Sequence, residues 1–142
     1  MANTAALQEA IEWVRSQLAS EIGLSVERRE VALTTGRHRR FNAVSADGRM
    51  VAMVMNSSGA TSGGKKPVGK IRGALAELYY LSLVDAPTRL LVVTNPGFHL
   101  YLQRELEGAL APGIEVRYVP LPADLAGRVA GVTSEASDEM SR

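Results

Sequence analysis

The dipeptide Asp47-Gly48 does more than any other feature to limit what this chain can fold into. It lies within Arg39–Asn56, between two runs rich in apolar residues, Phe41–Ser45 and Met50–Met55. Asp-Gly in that setting is a hairpin signal, because a two-residue type I′ loop needs positive φ at both central residues. With that loop, Ala46 pairs with Arg49 and the numbers of every cross-strand pair sum to 95. Side chains alternate along a strand. One face is therefore expected to carry Arg40, Asn42, Val44, Val51, Met53 and Met55. The other is expected to carry Phe41, Ala43, Ser45, Met50, Ala52 and Val54. Both faces are largely apolar toward the end of the second strand, which predicts a sheet covered on both sides.

The rest of the chain supplies the covers. Leu7, Ile11, Val14, Leu18 and Ile22 recur at three- and four-residue steps, predicting an amphipathic helix over Thr4–Ile22 that stops at Gly23. Val31 and Leu33 alternate as in a strand, and the opposite parity of Val26 calls for a bulge near Arg28-Arg29. After the hairpin, Asn56–Lys70 is a loop of Gly, Ser and Lys, and Pro67 opens a helix reaching Val84 with Ile71, Ala74, Leu75, Leu78, Leu81 and Ser82 inward. Thr88–Thr94 is an apolar strand, and a right-handed crossover sets it parallel to the second hairpin strand. A helix over Phe98–Leu110, a strand over Ile114–Val119 and one or two helical turns within Ala123–Val129 follow. The chain reads as one α/β domain over residues 1–132, a sandwich around a mixed sheet in the order α-β-β-β-α-β-α-β. Residues 133–142, rich in Ser and acid, read as a disordered tail.

This hairpin, followed by a Gly/Ser loop, a helix and an apolar strand, resembles the PD-(D/E)XK nuclease superfamily over roughly residues 1–120. In that family an Asp early in one strand and a Glu-x-Lys at the end of the next share a hairpin face. The carboxylates bind a divalent metal, and the Lys positions or activates the attacking water. The matching positions here are Asn42, Met53 and Met55. The resemblance implies a restriction endonuclease-like three-layer sandwich whose catalytic letters are all replaced. A hard cation needs anionic oxygens. Asn42 offers one neutral carbonyl oxygen, Met53 a soft thioether, and Met55 neither charge nor proton. No catalytic residue, metal or cofactor is expected.

Charge suggests a use for the same region. Net charge is +1, but Leu24–Leu75 holds ten Lys and Arg against three Asp and Glu, and the remainder holds six against twelve. Such polarity can mark a nucleic-acid face. The candidate backbone contacts are Arg37, Arg39, Arg40, Lys65, Lys66 and Lys70. The expected function is a catalytically inactive nuclease-like domain with a nucleic-acid-binding or regulatory role, DNA being a candidate partner. One alternative is a protein-interaction or assembly module, a homodimer with Tyr79 and Tyr80 at its interface. The other is a metal-dependent nuclease with ligands relocated to Asp47, Glu77, or Glu9, Glu12 or Glu21 of the first helix.

Several chemistries are disfavoured. Gly64–Lys70 fits the first seven positions of a P-loop, but Ile71 stands where Ser or Thr must hold magnesium, so no nucleotide is expected. His38 and His99 have no second ligand at metal spacing. The chain has no Cys, no apolar run of membrane-spanning length and no signal-peptide pattern at its start, which predicts a cytoplasmic protein without membrane contact.

Overall fold

Residues 4–59 and 66–141 are described by a computed structural model. The elements run α1 (Thr4–Ile22), β1 (Val26–Ala32), β2 (His38–Ser45), β3 (Met50–Met55), α2 (Val68–Ser82), β4 (Thr88–Val93), α3 (Pro96–Leu106), β5 (Ile114–Tyr118) and α4 (Ala123–Ser141). The strands form one open mixed sheet in the order β1-β2-β3-β4-β5. The first three are antiparallel, and β3, β4 and β5 are mutually parallel. Parallel neighbours need crossovers, which α2 and α3 provide.

Both crossover helices lie on one face. Ile71, Leu78 and Leu81 of α2 and Phe98 and Leu102 of α3 pack there against Phe41, Val44, Val51, Leu91 and Val93. On the other face, Val14 and Leu18 of α1 meet Ala43, Met50, Ala52, Val54, Leu90 and Val92. α1 has a second partner: Ala6 and Ala10 pack against Leu125, Val129 and Val132 of α4. The buried stripe of α1 is thus Ala6, Ala10, Val14 and Leu18, with Ile22 37% exposed rather than inward. The two small residues let α4 come close, and an apolar-residue count does not register them.

The predicted register holds: Ala43 pairs with Ala52 and Val44 with Val51. The turn does not take the predicted form. No described residue other than glycine has positive φ, and Gly48 alone in the loop is left-handed, at φ 73°. The loop spans four residues, Ala46–Arg49, closed by the Gly48 N–H donating to the Ser45 carbonyl at 2.9 Å. Asp47 acts through its side chain: Oδ1 accepts from Ser45 Oγ at 2.7 Å and from the Arg49 N–H at 3.0 Å. Lengthening the loop by one residue on each side leaves the register unchanged.

Other expectations shift as well. Phe41 joins Val44 on the α2 side instead of Ala43 on the α1 side. The cause is a bulge: Glu27 pairs with Val44 but Arg29 with Phe41, so Asn42 and Ala43 together oppose Arg28. The irregularity falls at Arg28, where the sequence called for it, with the extra residue carried by β2. Leu75, placed inward by periodicity, is 45% exposed, and Ser82, placed inward with it, is also exposed, its hydroxyl donating to the Tyr79 carbonyl of its own helix. α3 begins two residues early because Asn95 caps it, its Oδ1 accepting from the Phe98 N–H at 2.9 Å. The last helix is longer than one or two turns and continues to Ser141 across the stretch expected to be disordered. Val129 and Val132, buried on α1, anchor it.

Candidate functional site

Asn42 sits where β2 fits neither neighbour regularly. The bulge interrupts its ladder with β1, and Arg15 of α1 donates from Nε to the Asn42 carbonyl at 2.6 Å. On the other side, the ladder to β3 consists of two residue pairs only. Beyond them the Asn42 side chain does the work of a peptide group. Its Oδ1 accepts from the Val54 N–H at 2.8 Å, and its Nδ2 donates to the Val54 carbonyl at 3.3 Å. A primary amide carries both a donor and an acceptor, which a carboxylate does not.

The three positions matched to a nuclease trio therefore have different tasks. The polar head of Asn42 is used within the sheet plane. Met53 and Met55, half-buried, pack against the α2–α3 core, and the Met55 methyl lies under Gly73 of α2. The arrangement is a sheet seam beside two space-filling thioethers.

The carboxylates considered for relocated metal binding are also separated. Glu77 accepts from both terminal nitrogens of Arg39, at 3.0 and 2.8 Å. Asp47 is at the hairpin tip, its carboxyl held below the usual range first by the Ser45 hydroxyl and then by the Arg49 N–H. Glu9 pairs with Arg128, whose hydrogen bond and charge lower its carboxyl, and Glu21 pairs with Arg117. Among the described residues, no three of His, Cys, Asp and Glu come together as a metal site.

The six candidate phosphate contacts divide. Arg39 is committed: besides Glu77, its guanidinium lies 4.1 Å from the Tyr80 ring centroid and 5.5 Å from that of Phe41. It joins β2 to α2. Lys66 forms an ion pair with Glu105 of α3. Lys70 donates to the Ser58 carbonyl at 3.1 Å, and burial lowers its pKa. Arg37 and Arg40 are exposed, and neither has an ion-pair partner among the described residues. Glu30 lies opposite Arg40 in the β1–β2 ladder without forming an ion pair with it. Lys65 lies outside the described residues, as does part of the P-loop-like stretch.

Among the described residues, the C-terminal ends of β3 and β4, where open α/β sheets often bind ligands, are bridged by side-chain hydrogen bonds. Thr94 Oγ1 donates to Asn56 Oδ1 at 2.6 Å, and the Gly59 N–H donates to the Asn95 side chain at 3.3 Å. A Cβ on Gly59 would stand 2.7 Å from the Gly97 carbonyl carbon, so only glycine lets this loop seal the start of α3. A cavity beneath α4, bordered by Asn56, Thr94 and Asn95, is about 60 Å³, against several hundred for a typical ligand pocket.

No known relative decides the matter. No family model matches the chain, and neither the curated proteins nor the solved structures compared with it give a match.

The contacts most informative about this site, from Arg15, Ser45 and Arg89, join residues distant in sequence or lie in loops. Arg89 braces the sheet, donating to the Leu81 carbonyl at 3.3 Å and the Pro112 carbonyl at 2.6 Å. Its only sequence signal was an Arg at the start of an otherwise apolar strand. No helix among the described residues is long and apolar enough to cross a membrane.

Proposed function

We propose that this chain is a restriction endonuclease-like domain without metal chemistry, which holds nucleic acid by its phosphate backbone in a binding or regulatory role. The observation that carries the reading is the pair Arg37 and Arg40, exposed around the start of β2 with no ion-pair partner among the described residues. Guanidiniums in that state take phosphate oxygens bidentately. The excess of seven positive charges over Leu24–Leu75 adds a field that draws a polyanion to the same half. The neutral Asn42 and the two thioethers favour binding over cleavage. A cytoplasmic location goes with this reading.

The test is a titration of fluorescently labelled duplex and single-stranded oligonucleotides by anisotropy over a range of salt. Arg37→Ala/Arg40→Ala should weaken binding for every sequence alike. Losing two phosphate contacts should flatten the slope of log K against log salt by about 1.8 on duplex and about 1.4 on single strands. Arg39→Ala serves as a contrast, because its loss should appear in thermal stability. Wild-type protein that binds no oligonucleotide at low salt, or a double variant with undiminished affinity, would refute the reading.

A further inference from the structure

β5 ends the sheet, and its outer edge is unpaired among the described residues. The backbone of Gly113 and Val119 faces β4: the Arg89 N–H donates to the Gly113 carbonyl at 3.1 Å, and the Val119 N–H to the Val93 carbonyl at 3.0 Å. By strand alternation, Ile114, Val116 and Tyr118 turn their N–H and C=O groups to the free edge. The Ile114 N–H is used locally, donating to the Ala111 carbonyl at 3.2 Å.

The side chains of this strand read Ile-Glu-Val-Arg-Tyr over Ile114–Tyr118, with opposite charges placed symmetrically about Val116. Within one chain Arg117 pairs with Glu115 at 2.6 Å and with Glu21 at 3.0 Å, so a cross-subunit pair would exchange the in-chain Glu115 contact for an equivalent one and leave Glu21 in place. We infer that the chain forms a homodimer in which two β5 strands pair antiparallel about a two-fold axis at Val116. In that register Val116 faces Val116 of the partner subunit, and Ile114 faces Tyr118 of the partner subunit. Glu115 faces Arg117 of the partner subunit, and the reverse contact follows by symmetry. The outward backbone groups then make four hydrogen bonds, two at Val116 and one from each Tyr118 N–H to the carbonyl of Ile114 of the partner subunit.

Shifting the axis by one residue sets Glu115 against its own copy or Arg117 against its own copy, and like charges directly opposite repel. The charge pattern therefore selects one register as well as permitting it. The apolar surface agrees. Val116 borders a groove of about 530 Å³ beside α3, lined by the buried Leu102 and Leu106 and the 37% exposed Leu110, with Gln103, Arg104 and Glu107 at its rim. A second sheet in line with the first would close it. The opposite edge differs: β1 exposes Glu27, Arg28, Arg29 and Glu30 in succession, which disfavours pairing with a strand. The inference stands whichever way the nucleic-acid experiment falls.

Equilibrium sedimentation tests it. Wild-type protein should have twice the chain mass of 15.2 kDa. Glu115→Arg or Arg117→Glu alone should return it to the monomer mass, and the two together should restore the dimer by swapping the charges. Hydrogen exchange gives a second readout on the unaltered chain: the Val116 and Tyr118 amides should be protected at high concentration and lose protection on dilution. A wild-type monomer, a dimer indifferent to both reversals, or amides unprotected at every concentration would overturn the inference.

Discussion

The side chain of Asn42 closes a gap between two strands, and its value can be measured by removing all, or only half, of what it does. Asn42→Ala leaves the Val54 N–H and carbonyl without their partners. An orphaned buried polar group costs about 1–3 kcal/mol, and this pair is part-buried, so a loss of about 2 kcal/mol in urea unfolding is expected. Asn42→Asp is the more diagnostic change. Its carboxylate still accepts from the Val54 N–H but turns a second oxygen, instead of a donor, toward the Val54 carbonyl. That carbonyl favours the protonated acid, raising the folded-state pKa above the unfolded one. The variant should then be most stable below the ordinary Asp range and lose stability as pH rises through the raised value. A variant as stable as wild type at neutral pH would show that the donor half of the amide is dispensable.

At the level of elements, α1 is held between the sheet and α4, and an exposed ion pair adds a small increment to that apolar outer contact. Glu9 accepts from Arg128 at 2.7 Å, and that hydrogen bond, followed by the guanidinium charge, lowers its pKa. A depressed folded-state pKa means that the contribution is complete above the ordinary Glu range and is lost as pH falls through the lowered value. Trp13 reports on this region, its Nε1 donating to the Pro120 carbonyl at 3.1 Å and its ring packing on both the α1–sheet and α1–α4 clusters. Its emission should shift on acidification as α4 loosens, and Arg128→Ala should lack that step. Periodicity made the elements and the β2–β3 register legible, since both follow from apolar spacing and one turn. It did not reveal that Phe41 changes face, because the bulge depends on how β1 and β2 meet. Nor did it show that Arg39 and Lys66, which look like surface cations in sequence, are taken by Glu77 and Glu105. Spacing along the chain gives the face of a residue but not the distant carboxylate that claims it.

For the molecule as a whole, the two proposals predict a combined behaviour that neither gives alone. A dimer presents Arg37 and Arg40 twice. On duplex long enough to meet both copies, the salt slope should be about twice that of the Glu115→Arg monomer, roughly 3.6 against 1.8 from these residues. Equal slopes for the two proteins would mean that the copies cannot engage one duplex together. The two margins of the sheet are unlike, and this difference limits growth. Once β5 has joined its twin, both remaining borders are β1, with its succession of exposed charges. In the proposed dimer a third molecule would meet only these charged borders, which disfavour its addition, so the ribbon should be extended once and stop.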